Sequence, residues 1–297
     1  MEYINSIGDL LTLISKTSPH EAEHKEVWLR GEPSVSNQPQ PGLFREPWFK
    51  YDQFTNEEKI ERLKRERQFI QDFKVRSANL VHEQISDGNL YFLMRHYKAA
   101  TRLLDWTTDP LTALYFACQK EEIREIEAKN NKEDGNQESE KTSQNQNKED
   151  EGLVWIMNPF NFRKDQGEFK LKLPKSNFSF EGVATVGNPI YQHHLKSLFE
   201  WKDLKTRDYI FPIRPSYFDH RIKVQNSAFT FHANDSENGI LGVERNRTLT
   251  KCIVNKVALG KELALLKIDQ FTIYDDLESL SSAMTANYSK RYSSQNR

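Results

Sequence analysis

Cysteine is nearly absent from this chain: two in 297 residues, Cys118 and Cys252, far apart and each set in an apolar pattern. A disulfide framework is therefore not expected, and the pair fits a reduced, cytoplasmic protein. Neither cysteine has a partner at metal-ligand spacing. Long apolar runs are missing too, so no segment is expected to span a bilayer. The opening Met1-Glu2-Tyr3-Ile4-Asn5 has neither a basic start nor an apolar core, and no secretory leader is expected. Charge of one sign is also lacking. Lys and Arg total 42 against 43 Asp and Glu, a formal net charge of −1, which excludes a global cationic field for nucleic acid but leaves room for a local basic cleft. No glycine-rich phosphate loop, GxSxG elbow or protease signature occurs, which argues against P-loop and hydrolase chemistry. What remains, at 37% hydrophobic and 29% charged, is a soluble globular chain with a hydrated part.

The patterns divide the chain unevenly. Ile7, Leu10, Leu11 and Ile14 predict an amphipathic first helix. Val27-Trp28-Leu29-Arg30-Gly31 reads as a short buried strand. Asn56 to Leu80 predicts a long helix, capped by Asn56, with Ile60, Leu63, Phe69, Ile70 and Phe73 inward. Leu90 to Tyr97 predicts another helix, and Thr108-Asp109-Pro110 a helix start. Residues 122–151 form a polar stretch read as a disordered insertion within one domain, because Gly152-Leu153-Val154-Trp155-Ile156-Met157 is a buried strand that needs sheet partners. Further strands are expected at Ile210–Ile213, within Arg221–Phe231, at Lys251–Val254 and at Leu263–Ile268. A closing helix over Thr272–Met284 and a polar tail over 285–297 complete the reading. Helices early and strands later predict an α+β class: a single domain over 1–284, with a mixed or mostly antiparallel sheet flanked by helices.

Chemistry concentrates in Arg95-His96-Tyr97-Lys98-Ala99-Ala100-Thr101-Arg102-Leu103-Leu104-Asp105-Trp106-Thr107. Cores avoid so many ionisable groups unless they are paired or functional. Arg30 either faces a phosphate-rich ligand, with Gly31 admitting a close approach, or pairs with Glu32. His96 and Tyr97 either contact a ligand or finish a helix, where a histidine suits the dipole. Arg102 and Asp105, three apart, permit a local ion pair that organises the loop before the next helix, with Arg102 also able to help bind an anion. Trp106 is more often core than stacking platform. Gln225, read on a strand beside Arg221, either reads an amide or ribose hydroxyl or makes a bond within the sheet. His193-His194 lacks a further ligand at recognised spacing, and no metal is expected. Glu66 fits either a special acidic position or a solvated helix face.

Trp28-Leu29-Arg30-Gly31, Pro41-Gly42-Leu43-Phe44-Arg45, Glu66, His96-Tyr97, Thr101 through Thr107, Ala113-Leu114-Tyr115-Phe116-Ala117 and Arg221 through Phe229 together resemble the FRG domain family, in the family's order. The chain departs from it at Lys98, where the family often has glycine, and near Ser227-Ala228. Members of that family are bacterial and phage-borne, often near defence or toxin genes. The aromatic/apolar-Arg-Gly strand end is further similar to the first strand of ADP-ribosyltransferases. That likeness implies NAD as donor, Arg30 holding phosphate, His96 or Tyr97 at the ribose or nicotinamide, and Gln225 or an unidentified acid at the reacting centre. It also implies a protein or nucleic-acid acceptor and a possible antitoxin partner. No Ser-Thr-Ser strand or Glu-x-Glu pair accompanies it. A non-catalytic nucleotide- or RNA-binding module gripping phosphate through Arg30, His96, Arg102 and Trp106 is the other reading.

Overall fold

The first helix buries Leu10 and Leu13 but leaves Leu11 half exposed, one residue off the predicted stripe. In the computed structural model, which describes residues 2–17, 26–49, 55–81, 85–120, 150–160, 170–173, 176–179, 183–199, 210–232 and 249–293, it is α1 (Ile7–Thr17), following β1 (Glu2–Ile4). Then come β2 (Trp28–Glu32), two 3-10 turns (Gly42–Arg45 and Pro47–Phe49), α2 (Asn56–Arg76), α3 (Asp87–His96), β3 (Leu103–Thr107) and α4 (Pro110–Ala117). Beyond the polar stretch lie β4 (Glu151–Met157), β5 (Lys170–Leu173), β6 (Ser176–Ser179), β7 (Ala184–Thr185), α5 (Pro189–Phe199), β8 (Ile210–Arg214), α6 (His220–Val224) and β9 (Ser227–His232). The chain closes with β10 (Leu249–Asn255), α7 (Lys256–Leu265), α8 (Gln270–Tyr274) and α9 (Leu277–Ser293). The reading of 122–151 as disordered falls, apart from 150 and 151, outside the described residues.

One sheet of eight strands runs in the order β1-β10-β4-β2-β3-β9-β8-β7, while β5 and β6 form a separate hairpin. Among the described strands, only the outermost pairs, β1 with β10 and β7 with β8, are parallel. The fold is thus α+β, with a mixed, mostly antiparallel sheet. Strand alternation sends two sets of side chains to the helix-bearing face. Leu29, Val154, Ile156, Cys252 and Val254 pack under α1, α4 and α7. Leu103, Phe211, Ile213, Phe229 and Phe231 pack under α2, α3 and α5. The opposite face carries Trp28, Leu104, Trp106, Leu153, Trp155 and Met157. The two cores meet where β2 adjoins β3, and there the sheet is weakest. These strands pair only at Leu29↔Thr107.

Several elements depart from the sequence reading. Thr55 rather than Asn56 caps α2, its side chain accepting a hydrogen bond from Glu58 N at 3.2 Å, and α2 stops at Arg76. The segment Leu103–Thr107, read as a loop, is a buried strand whose alternation is Leu103/Asp105/Thr107 against Leu104/Trp106. Leu263–Ile268, read as a strand, is the last turn of α7 and its C-terminal cap, where Lys267 takes φ 58° and Ile268 N donates to Leu263 O at 2.9 Å. The closing helix is broken at Asp275 (φ 48°), and α9 runs on through the expected tail to Ser293. Lys98 explains its departure from the family pattern. It has φ 63°, with Lys98 N donating to Arg95 O at 3.0 Å and Ala99 N to Met94 O at 2.9 Å. That is the Schellman end of α3, where glycine is the favoured residue.

Candidate functional site

The split between β2 and β3 opens into a cleft of about 770 Å³. Its walls come from β2 (Arg30, Glu32), the end of α3 (Arg95, His96), β3 (Asp105, Trp106), α4 (Thr112, Phe116) and the C-terminal elements α6 to α8 (Arg221, Gln225, Tyr274). Six cationic side chains line it, Arg30, Arg45, Arg95, Lys98, Lys120 and Arg221, against two carboxylates, Glu32 and Asp105. A chain of net charge −1 therefore concentrates positive charge in this cleft, and low-dielectric walls strengthen that field.

Ion pairs hold the floor together. Arg30 Nε donates to Glu32 Oε1 at 2.6 Å, and its Nη1 donates to the main-chain oxygen of Asp105 at 2.8 Å. The guanidinium thus bridges the two strands where their own ladder stops. Asp105 is the hub. Its carboxylate accepts from Arg95 Nε at 2.7 Å and from Arg95 Nη2, and lies 3.6 Å from Arg30 Nη1. Burial pushes the Asp105 carboxyl up, but Arg95 and Arg30 outweigh it and hold the group below its ordinary range. Burial likewise works against the Arg95 cation, and Asp105 overrides it, so Arg95 is held more firmly protonated.

His96 shows the opposite balance. Burial lowers its proton affinity, Asp219 raises it and Arg221 lowers it again, for a net shift below 6.5. The imidazole is neutral at pH 7. An unfolded chain protonates this histidine near its ordinary value while the folded chain resists, so stability falls as pH drops from about 6.5 through the lower folded value. The thermal midpoint of the wild type should decline more steeply from pH 7 to 5.5 than that of His96→Gln. Parallel pH profiles would rule out this linkage.

The structure brings Arg30, His96, Asp105, Trp106, Arg221 and Gln225 into one cleft and leaves two predicted ligand residues outside it. Arg102 is buried and grips Glu66, with Nη2 to Oε2 at 2.6 Å and Nε to Oε1 at 2.8 Å. Arg102 therefore pairs with Glu66 and not with Asp105, and Glu66 is a core residue and not part of a solvated face. Tyr97 is 62% exposed, its ring set edge-on to His96 at 5.2 Å, and it does not line the cleft. Gln225 caps α6 instead of lying on a strand, and its amide donates to Ile273 O at 3.2 Å, tying α6 to α8. Trp106 is 3% exposed and donates to Thr230 Oγ1 at 3.0 Å, as a core residue does. The close approach that Gly31 admits is that of backbone: α4 lies directly over its Cβ position. The side chains of His193 and His194 lie outside the described residues. Among the described residues no group of three or more His, Cys, Asp or Glu is placed to hold a metal, and no helix is long and apolar enough to cross a membrane. Arg95, Asp219, Phe116 and Tyr274 were not singled out from the sequence. Of these, Arg95 and Phe116 lie within the linear motifs, and nothing local marks Tyr274.

The family model of the FRG domain matches residues 25–125. Residues 25–125 carry an FRG domain. No curated protein and no solved structure matches it. The match includes β2, α3, β3 and α4, and so most of the cleft, while Arg221, Gln225 and Tyr274 come from beyond it. Residues outside the FRG match thus complete the wall of the FRG cleft, through strand β9 paired along β3.

Proposed function

We propose that the FRG cleft binds a phosphate-bearing nucleotide and that the chain uses NAD as donor for ADP-ribosyl transfer to an intracellular protein or nucleic acid, as a toxin or defence effector. The observation that carries this reading is the cation-rich cleft at the split in the sheet, six basic side chains against two carboxylates. Its volume suits a ligand of that size, within the roughly 300–1,000 Å³ usual for small-molecule sites. In the transfer, the bond from ribose C1′ to nicotinamide breaks, the acceptor's nucleophilic atom bonds to C1′, and the acceptor's proton is released. The protein's part is placement and charge: basic groups hold the pyrophosphate, and Asp105, kept ionised beside the cleft, offers a carboxylate toward ribose hydroxyls and developing positive charge. An antitoxin covering this cleft would be its natural regulator.

One observation favours the second reading, a nucleotide- or RNA-binding module without turnover. Both cleft carboxylates sit in ion pairs with arginine, and the Gln225 amide is engaged by Ile273 O. Incubation of the purified protein and of Arg30→Ala with radiolabelled NAD and a cell extract separates the two. Transfer is expected to put label into protein or nucleic acid with wild type only. Folded wild type that binds nucleotide but transfers no label would leave the binding module.

A further inference from the structure

Two buried nitrogens face the cleft with their hydrogen bonds unmade. The His96 side chain is 6% exposed, and its Nε2 has no hydrogen-bond partner among the described residues; the nearest carboxylate oxygen, Asp219 Oδ1, is 3.5 Å away. That carboxylate is already engaged, capping α6 by accepting from Arg221 N at 3.0 Å and Ile222 N at 3.4 Å. Arg221 Nε is also buried without a hydrogen bond. Its guanidinium enters no ion pair among the described residues and lies over the Tyr274 ring at 4.3 Å. Arg30 and Arg95 contrast with it, since Glu32 and Asp105 already satisfy them. A buried polar group left unpaired costs free energy, and a ligand that supplies the partner recovers it.

The geometry points to Arg221 and His96 as the anion subsite of the cleft, taking the pyrophosphate of a nucleoside diphosphate. Arg30 is then a positioning residue that ties β3 to β2. Arg221 donates a charge-assisted bond to a phosphate oxygen from Nε, and neutral His96 donates from Nε2–H between Asp219, Asp105, Arg95 and Arg221. Phe116 and Tyr274, edge to face at 6.2 Å, line the cleft next to Arg221 and offer the base an aromatic wall. This inference rests on the nucleotide reading of the cleft and names the part of it that holds phosphate.

Calorimetric titration of the full chain with ADP, inorganic pyrophosphate and adenosine tests it. ADP and pyrophosphate are expected to bind wild type, and adenosine far more weakly. Arg221→Ala should weaken ADP about 10- to 100-fold at an unchanged thermal midpoint, the loss of one charge-assisted contact. Arg221→Lys should restore part of it. Should Arg221→Ala fail to fold, the His96 ring nitrogen resonances of wild type decide, since they are expected to move on adding pyrophosphate. ADP binding unchanged in folded Arg221→Ala, or His96 resonances unmoved at saturating pyrophosphate, overturns the subsite and leaves the nucleotide reading standing. Wild type that binds none of ADP, pyrophosphate and NAD overturns both.

Discussion

Gly31→Ala is expected to destabilise the chain by about 3 kcal/mol or more, at or beyond the upper end of the roughly 1–3 kcal/mol that overpacking usually costs. A Cβ at Gly31 would stand 1.9 Å from Ala113 O and 2.7 Å from Ala117 N, both backbone atoms of α4. Backbone cannot rotate aside as a side-chain tip does, so the helix must lift. Gly152, on the neighbouring strand β4, meets the same helix, with its Cβ position 2.2 Å from Ala117 O. Lifting α4 also moves Thr112 and Phe116, so the cleft wall should be disturbed together with stability, and the proposed nucleotide binding with it. Gly260→Ala is the control. Nothing lies within 4 Å of its Cβ position in α7, and alanine there should stabilise by roughly 0.5–1 kcal/mol. Urea unfolding of the three proteins checks this, and a Gly31→Ala cost below about 0.5 kcal/mol, the scale of an ordinary surface change, would mean α4 is not seated on β2 as described.

The same glycine shows how far the sequence could be read. A short apolar strand ending in Arg-Gly was visible in Val27 to Gly31, and so were β4, β8, β10 and the Asp109-capped helix, because each carries its signal locally. That Gly31 makes room for a helix was not visible, since Ala113 and Ala117 reach it only after folding. β3 was missed for a related reason. Asp105 in Leu103–Thr107 makes the segment look like a polar loop, and only its pairing to β9, Asp105 opposite Phe229, turns the alternation into a strand. Leu263 to Ile268 misled in the other direction, as an apolar run of that length does not by itself distinguish helix from strand.

For the site, a shared motif did not imply a shared cleft: Tyr97 and Arg102 stand in the same short segment as His96 and Asp105 but do not line the cavity. Arg30, His96, Asp105 and Arg221 do share a cleft. Their pairing was unreadable, because sequence spacing offers Arg102 to Asp105 while the structure gives Asp105 to Arg95 and Arg30. Tyr274 reaches the cleft through the α6–α8 contact, fixed by Gln225 Nε2 on Ile273 O and by His220 against Asp275. Neither bond leaves a trace in local composition.

Glu66→Gln should cost about 3–5 kcal/mol, the range for removing one partner of a buried ion pair. The two side chains are 1% and 4% exposed, with Arg102 Nε at 2.9 Å and Nη2 at 2.6 Å from Glu66 Oε2. Tyr91 joins them, accepting from Arg102 N at 2.8 Å and lying 3.4 Å from Glu66 Oε1. This cluster ties α2 to the start of β3, so the long helix is anchored by charge where a leucine would ordinarily serve. Taking the carboxylate away removes the Glu66 charge from a guanidinium that faces Phe44 and Phe49. The size of the effect therefore includes the cost of burying that cation with one counter-charge fewer, and is not the net worth of the pair. The double variant Glu66→Leu/Arg102→Met, which removes both charges and keeps volume, should therefore be more stable than either single change, with a coupling of at least about 2 kcal/mol in a double-mutant cycle. Additive losses would instead assign the stabilisation to separate contacts of each residue. Because Arg102 lies outside the cleft, the double variant should retain whatever nucleotide binding the wild type shows, which separates the arginine that anchors α2 from those that line the proposed site.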